Sequence, residues 1–356
     1  LGHGFSTVAI AKGRIYTTGD RAGRTIISAL GLDGRLLWQV ENGAAWDASV
    51  PGSRGTPTID GDRLYHENAQ GDVVCLDAKS GAKQWGRNIL ADFHSKNIIW
   101  GLAESLLVDG DRVICCPGGP ETAMVALDKH TGRTVWKSAT AGDLASYSSP
   151  VLGEYRDLRM LFALTSRAAI AVHADSGELL WRFEHITPFE EMIPTPFYDN
   201  GQVLITTRTA GTVLLALDVV GKRCSVRQVW QSKELDNQHG GLVVLDGYIY
   251  GSSHVNSNGK WICLEWKTGK VMYMDRGVGK GSVTYADGML YALSENRVLG
   301  LVKPTPDRHA IVSQFKIPSG GEGPSWAHPV ICGGRLYIRH GEFLYAYDIH
   351  APSPTP

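Results

Sequence analysis

Residue types able to bind or transform a small molecule occur at widely separated points of this 356-residue chain. Arg54 and Lys280 are cations that could meet an anionic group. Trp100, Tyr147 and Trp326 offer flat apolar faces with a polar tip, and His239 and His328 can give or take a hydrogen bond. Glu104, Asn237, Asp236 and Glu191 add oxygen-bearing side chains. Apolar area with a few directed polar groups is what a small-molecule site requires. These side chains make a site only if the fold brings distant segments together.

Other chemistries find less support. The twelve histidines form no two-His helical motif, so the best transition-metal set is His3, His239 and His328, drawn from separate segments. Six cysteines, at 75, 115, 116, 224, 263 and 332, show no zinc spacing. No Gly-x-Ser-x-Gly nucleophile elbow occurs.

The element that must position any site is a repeated hairpin. Ala126-Leu127-Asp128-Lys129-His130-Thr131-Gly132-Arg133-Thr134-Val135-Trp136 is its clearest copy: an apolar strand ends at Leu127, Asp128 turns the backbone, Gly132 takes a positive φ, and the next strand reaches Trp136. Related units run to Trp38, Trp85 and Trp181, then more loosely to Trp230, Tyr273 and Phe315, and Ala346-Tyr347-Asp348 opens an eighth. The closing aromatics lie about 42 to 51 residues apart, the period of a four-stranded blade. Eight starts predict an all-β fold: a single eight-bladed β-propeller of four-stranded antiparallel blades over 1–350, the last lacking its outer strand, with a Pro-rich tail at 351–356.

Each blade opens on a small-residue step, such as Ser6-Thr7, Gly55-Thr56, Ser148-Ser149 or Gly281-Ser282, where strands converge on the axis. Asp60-Gly61, Asp109-Gly110, Asp246-Gly247 and Asp287-Gly288 are hairpin turns. Two longer prefaces, 91–100 and 186–192, overhang one face; Phe93 and Phe189 are expected to cap neighbouring blades, with Trp100 left open between a cap and a ligand platform.

Thirty-five Lys and Arg against 36 Asp and Glu leave no electrostatic footprint for nucleic acid. No apolar run approaches the roughly 20 residues of a transmembrane helix. The sequence begins at Leu1 rather than Met, so a mature or trimmed product is expected, with any signal peptide and the strand that closes blade eight lying upstream.

Repeats with Ala-Leu-Asp, Thr-Gly-Lys/Arg and a terminal Trp resemble the pyrroloquinoline quinone (PQQ)-type propeller repeat over essentially the whole chain. That superfamily holds quinoprotein alcohol dehydrogenases, the propeller lipoprotein of the outer-membrane barrel-assembly machine and an uncharacterised bacterial branch. Asn237-Gln238-His239-Gly240-Gly241, Gly279-Lys280-Gly281-Ser282 and Trp326-Ala327-His328-Pro329 are most similar to that branch. The resemblance implies a periplasmic or extracytoplasmic location and an axial pocket formed just before each inner strand. That ring would hold Phe5, Arg54, Trp100, Ala103, Glu104, Tyr147, Ile193, Asn237, His239, Lys280, Trp326 and His328. Arg54 and Glu104 could instead pair structurally.

A quinoprotein of this superfamily implies PQQ and calcium: Arg54 and Lys280 on the quinone carboxylates, Trp100 or Trp326 beneath its ring, Glu104 and Asn237 on calcium, Asp236 or Glu191 as base. Cys115-Cys116 resembles the adjacent-cysteine disulfide of several quinoproteins, yet strand alternation sends the two side chains to opposite faces. The leading expectation is a ligand-binding or protein-interaction propeller that takes a small molecule, a saccharide or a protein partner. A PQQ- and calcium-dependent alcohol or sugar dehydrogenase is the alternative, and an envelope assembly scaffold the second.

Overall fold

The structure is a computed structural model that describes residues 1–350; the expected tail, 351–356, lies outside the described residues. Eight antiparallel sheets follow one another along the chain, seven of four strands and one of three, each with its strands paired in chain order. The blades occupy 9–44, 58–88, 107–137, 151–184, 197–232, 243–275, 281–316 and 330–348. This is the expected all-β, eight-bladed propeller. Of its only helical turns among the described residues, Ile89–Asp92 leads into the first long preface and Pro188–Glu190 lies within the second.

Local chemistry explains the hairpins. Asp246 and Gly247 both take positive φ (50° and 81°), as do Asp287 and Gly288 (50° and 76°), the pattern of a two-residue turn whose twist matches its strands. In the defining hairpin, one Asp128 oxygen accepts the N–H groups of His130 and Thr131 at 3.1 and 2.8 Å and the Thr131 hydroxyl at 2.8 Å. The following glycine does more than turn the chain. A Cβ on Gly81 would stand 2.9 Å from Trp38, on Gly132 2.7 Å from Trp85, and on Gly177 2.6 Å from Trp136. Each glycine therefore seats the tryptophan of the preceding blade. The indoles complete the joint by donating to Ala78, Lys129 and Ala174 carbonyls at 3.3, 3.0 and 3.2 Å.

The fifth copy shows what happens when the unit is stretched. Its outer hairpin is two ten-residue strands, Gly211–Val220 and Arg223–Ser232, with no glycine seat, and the Trp181 N–H that should dock there has no hydrogen-bond partner among the described residues.

At the axis, the small residues lie just before the ladders, except in blade seven, where Gly281 and Ser282 open the strand, and a belt of hydroxyls joins the first five blades. The N–H of Thr7 donates to Thr56 Oγ1, Thr56 to Ser105 Oγ, Ser105 to Ser149 Oγ and Ser149 to Thr195 Oγ1, at 3.1, 3.1, 2.9 and 3.4 Å. Thr7 Oγ1 donates back to the His328 carbonyl at 2.8 Å. Serine and threonine stand here to pair backbone groups between blades as well as to save space. Blade eight packs on blade one through Val8, Ile15, Leu30 and Tyr337, and Arg335 donates to the Leu32 carbonyl at 2.7 Å. Its third strand, Phe343–Asp348, has one paired edge.

Candidate functional site

The axial ring encloses a cavity of about 490 Å³. Its floor is the hydroxyl belt of Thr7, Thr56, Ser105, Ser149 and Thr195; its walls carry the side chains that precede the inner strands. Of the residues the sequence proposed, Arg54, Trp100, Tyr147, Glu191, His239, Trp326 and His328 line it, with Phe5, Ala103 and Ile193.

Aromatic rings form two walls. Trp326 lies 4.7 Å from Phe5 and 4.8 Å from His239, ring centre to ring centre, and Trp100 lies 5.9 Å from Tyr147. Trp326 precedes blade eight and Tyr147 blade four, opposite stations of an eight-membered ring. Trp100, left open by the sequence, thus borders the cavity. Burial drives the Tyr147 phenol up to about 12, so it is a neutral donor.

Arg54 is the cation of the lining. Its guanidinium donates to the Gly52 and Val50 carbonyls at 2.5 and 2.6 Å and lies over Phe5 and Trp46 at 5.8 and 5.9 Å. Eighteen ion pairs are present among the described residues, and Arg54 takes part in none of them. Burial, offset in part by the charge of Asp20, draws its pKa down to about 10. A half-buried guanidinium without a carboxylate is a ready receptor for an anion.

Several proposed residues do not reach the cavity. Glu104 is buried between blades two and three, because alternation that turns Ala103 and Ser105 inwards turns Glu104 away. One of its oxygens accepts the Cys116 N–H at 3.0 Å, so the alternative pairing with Arg54 does not form either. Asn237 is fully buried, donating to the Ser252 carbonyl at 2.8 Å and accepting the Gly241 N–H at 3.0 Å. Asp236 is equally buried and accepts the N–H groups of His254, Val255, Asn256 and Thr209 at 2.8 to 3.2 Å. Its lone pairs hold a loop and are not free to take a substrate proton. Glu191 is at the wall, but Arg208 grips both of its oxygens at 2.8 Å.

Lys280 points to a separate open depression that it shares with His254 and Arg276. There its ammonium meets Glu295 and His254 Nδ1, each at 2.9 Å. Glu295, which the sequence reading missed, is the hub behind the aromatic wall. One oxygen accepts Lys280, His239 Nε2 and the Trp326 indole at 2.9, 2.9 and 2.8 Å. Burial alone would raise its pKa; the bonds from His239 and Lys280 outweigh that and hold it at about 2. Following the repeat to the end of the second strand in each blade, whose loops face the same mouth, would have pointed to it.

These placements test a quinone with calcium. The two expected calcium donors, Glu104 and Asn237, are buried in different seams, and Arg54 alone of the two expected cations faces the cavity. No group of three or more His, Cys, Asp or Glu side chains among the described residues is arranged to hold a metal; the His3, His239, His328 set does not form one. The residues present therefore do not fit that pair of groups in the way expected. All six cysteines are free, and Cys115 and Cys116 belong to separate core clusters. Phe93 is buried as a cap, whereas Phe189 is 64% exposed on the rim beneath the Arg208 guanidinium, which corrects the expectation for that residue.

Known proteins share this architecture. A family model described as outer membrane protein assembly factor BamB matches residues 23–275. A polyvinylalcohol dehydrogenase of Pseudomonas sp. is 23% identical over 263 residues, which cover 65% of this chain and 35% of that protein. Outer membrane protein assembly factor BamB of Moranella endobia is 24% identical over 262 residues, covering 67% of this chain and 62% of that protein. The chain thus spans less than two thirds of the length of either relative. Among solved structures, BamB from Moraxella catarrhalis is similar with a TM-score of 0.67 at 16% identity, over 98% of this chain and 96% of that one. A europium-containing methanol dehydrogenase gives 0.66 at 11% identity, over 95% and 83%. At such identities the structural likeness establishes the fold alone.

Proposed function

We propose, for a chain that belongs to the family described as outer membrane protein assembly factor BamB, that it is a ligand-binding propeller whose axial cavity takes a small anionic molecule with flat faces. The observation that carries this reading is the unpaired Arg54 set between two aromatic walls. Stacking supplies area and the guanidinium supplies orientation, the division of labour usual in small-molecule sites. At about 490 Å³ the cavity is within the range that encloses a drug-sized ligand, roughly 300 to 1,000 Å³. The same family reading supports an extracytoplasmic location, and no helix among the described residues is long and apolar enough to cross a membrane.

A thermal-shift screen of small carboxylates, sulfates and phosphates against the wild type and Arg54→Ala tests the proposal. Stabilisation by one chemical class in the wild type, lost in the variant, supports it. Equal shifts in both proteins would sink it.

Family membership also supports a scaffold that docks a protein partner, and that reading places the partner on surface loops instead of the cavity. A partner captured equally well by wild type and a Trp326→Ala Arg54→Ala variant would favour it. The relatives described as dehydrogenases keep a quinone-dependent oxidation in view as a third reading; dye-linked alcohol oxidation after addition of PQQ and calcium is its test.

A further inference from the structure

The wall opposite Arg54 is built as carefully as the Arg54 pole. Arg54 precedes blade two and His239 precedes blade six, four stations apart in a ring of eight, at right angles to the Tyr147 and Trp326 stations. His239 Nε2 is held 2.9 Å from Glu295, whose carboxylate accepts and cannot donate. The Nε2 atom must therefore carry the proton. Nδ1 then holds the imidazole's free lone pair, and it has no partner among the described residues. Lys280 and the Trp326 indole share the same Glu295 oxygen, so the carboxylate stays charged and the ring orientation stays fixed. The other titratable groups near His239 are His328, whose Nε2 sits 3.1 Å from the His239 carbonyl, and, on the adjoining loop, His254. Burial lowers the His239 pKa, and the nearby Lys280 charge lowers it further against the pull of Glu295. The shift favours the neutral ring, the form in which Nδ1 accepts.

We infer that the Lys280, Glu295 and His239 chain presents one fixed hydrogen-bond acceptor across the cavity from Arg54, and that the cavity thereby selects a hydroxylated carboxylate: a hexuronic acid or short oligouronide. The inference rests on the reading of the cavity as an anion site and adds its second pole. A pyranose ring offers C–H faces to the two aromatic walls, a carboxylate to Arg54 and a hydroxyl proton to His239 Nδ1. Its remaining hydroxyls meet the belt of Ser and Thr oxygens on the floor. A planar aromatic acid would satisfy Arg54 and the walls but leave the acceptor and the belt unmatched, and unmet buried polar groups are what reject such analogues.

The test uses three probes on the full chain, followed by calorimetry: digalacturonate, its neutral methyl ester, and cyclohexanecarboxylate, which keeps the charge and lacks the hydroxyls. Digalacturonate is expected to bind at least about tenfold more tightly than either of the others. His239→Ala and Glu295→Gln are each expected to weaken it by about tenfold, and His239→Gln, which restores an acceptor, to recover most of the loss. The ¹⁵N shifts of His239 give a readout that a merely structural role would not move: a pure Nε2–H tautomer in the wild type, a mixture in Glu295→Gln. Cyclohexanecarboxylate binding as tightly as digalacturonate overturns the inference. So does digalacturonate binding that Arg54→Ala abolishes but His239→Ala and Glu295→Gln leave unchanged, an outcome that keeps the anion-site reading. Absence of digalacturonate binding overturns it as well, while the broader screen against Arg54→Ala decides the underlying reading separately.

Discussion

Replacing Glu104 with glutamine is expected to stabilise the propeller at pH 8 and to change little near pH 4.5. Glu104 is buried in the seam between blades two and three, with one oxygen on the Cys116 N–H at 3.0 Å and the other without a partner. Glu67 faces it with both oxygens unpartnered. Burial, opposed only in part by the bonds from Cys116, pushes Glu104 up to about 8, and burial together with the Glu104 charge pushes Glu67 well above the usual carboxylate range. Because the folded-state pKa lies above the unfolded value of 4.5, the stability linked to protonated Glu104 is full below 4.5 and is lost as the pH rises towards 8. At about 1.36 kcal/mol per pH unit that interval has a ceiling of almost 5 kcal/mol. Proton sharing with Glu67 and relaxation of the seam reduce the expected effect to about 2 kcal/mol. Glutamine keeps the acceptor for Cys116 and gives Glu67 a donor, so the variant escapes the loss. Melting temperatures of both proteins across pH 4.5 to 8 provide the assay; the gap should open with pH and reach several degrees. An equal gap at both ends, or a less stable variant at pH 8, would refute the reasoning.

Three further outcomes follow from the fold. Gly132→Ala puts a methyl group 2.7 Å from the Trp85 ring at a φ of 70°, and should cost about 1 to 3 kcal/mol in urea unfolding with a change in tryptophan emission. Asp236→Ala orphans four N–H groups and should cost about 3 kcal/mol, with limited proteolysis appearing first in the loop at 254–259. Trp136→Phe breaks the bond to the Ala174 carbonyl, whereas Trp181→Phe breaks none, so the first should be less stable than the second by about 1 kcal/mol in matched denaturation curves.

Blade number and the inner steps were legible because both follow from repetition. A turn glycine, its Asp and a terminal Trp recur at blade spacing wherever one sheet must seat the next, and the seat can be seen at Gly81, Gly132 and Gly177. Arg54, Tyr147, His239 and Trp326 were legible for a similar reason, since the position before an inner step is fixed by the same period, with Trp100 and His328 beside it; Glu191 was proposed only as a base. What failed was the direction of individual side chains. Glu104 and Asn237 lie within one residue of lining positions, yet alternation and local turns send them into the seams. Lys280 is held outside the cavity by Glu295, a partner in another loop that the repeat marks only when it is followed to the end of the second strand. Asp236 is a candidate base by its position in the repeat; its environment, four backbone donors, assigns it to holding a loop. Phe189 was read as a cap from its apolar character, but its backbone takes a positive φ of 58° and carries the ring to the rim.

The central claim is that a small anion binds on the propeller axis between opposed aromatic walls. Fluorine resonances of 5-fluorotryptophan-labelled protein, titrated with the anion that emerges from the thermal-shift screen, test it most directly. Trp100 and Trp326 should shift together and saturate, with no response in Arg54→Ala, while Trp136 and Trp230 in the blade joints stay still. Shifts confined to the joint tryptophans, or a cavity response that survives the loss of Arg54, would contradict it.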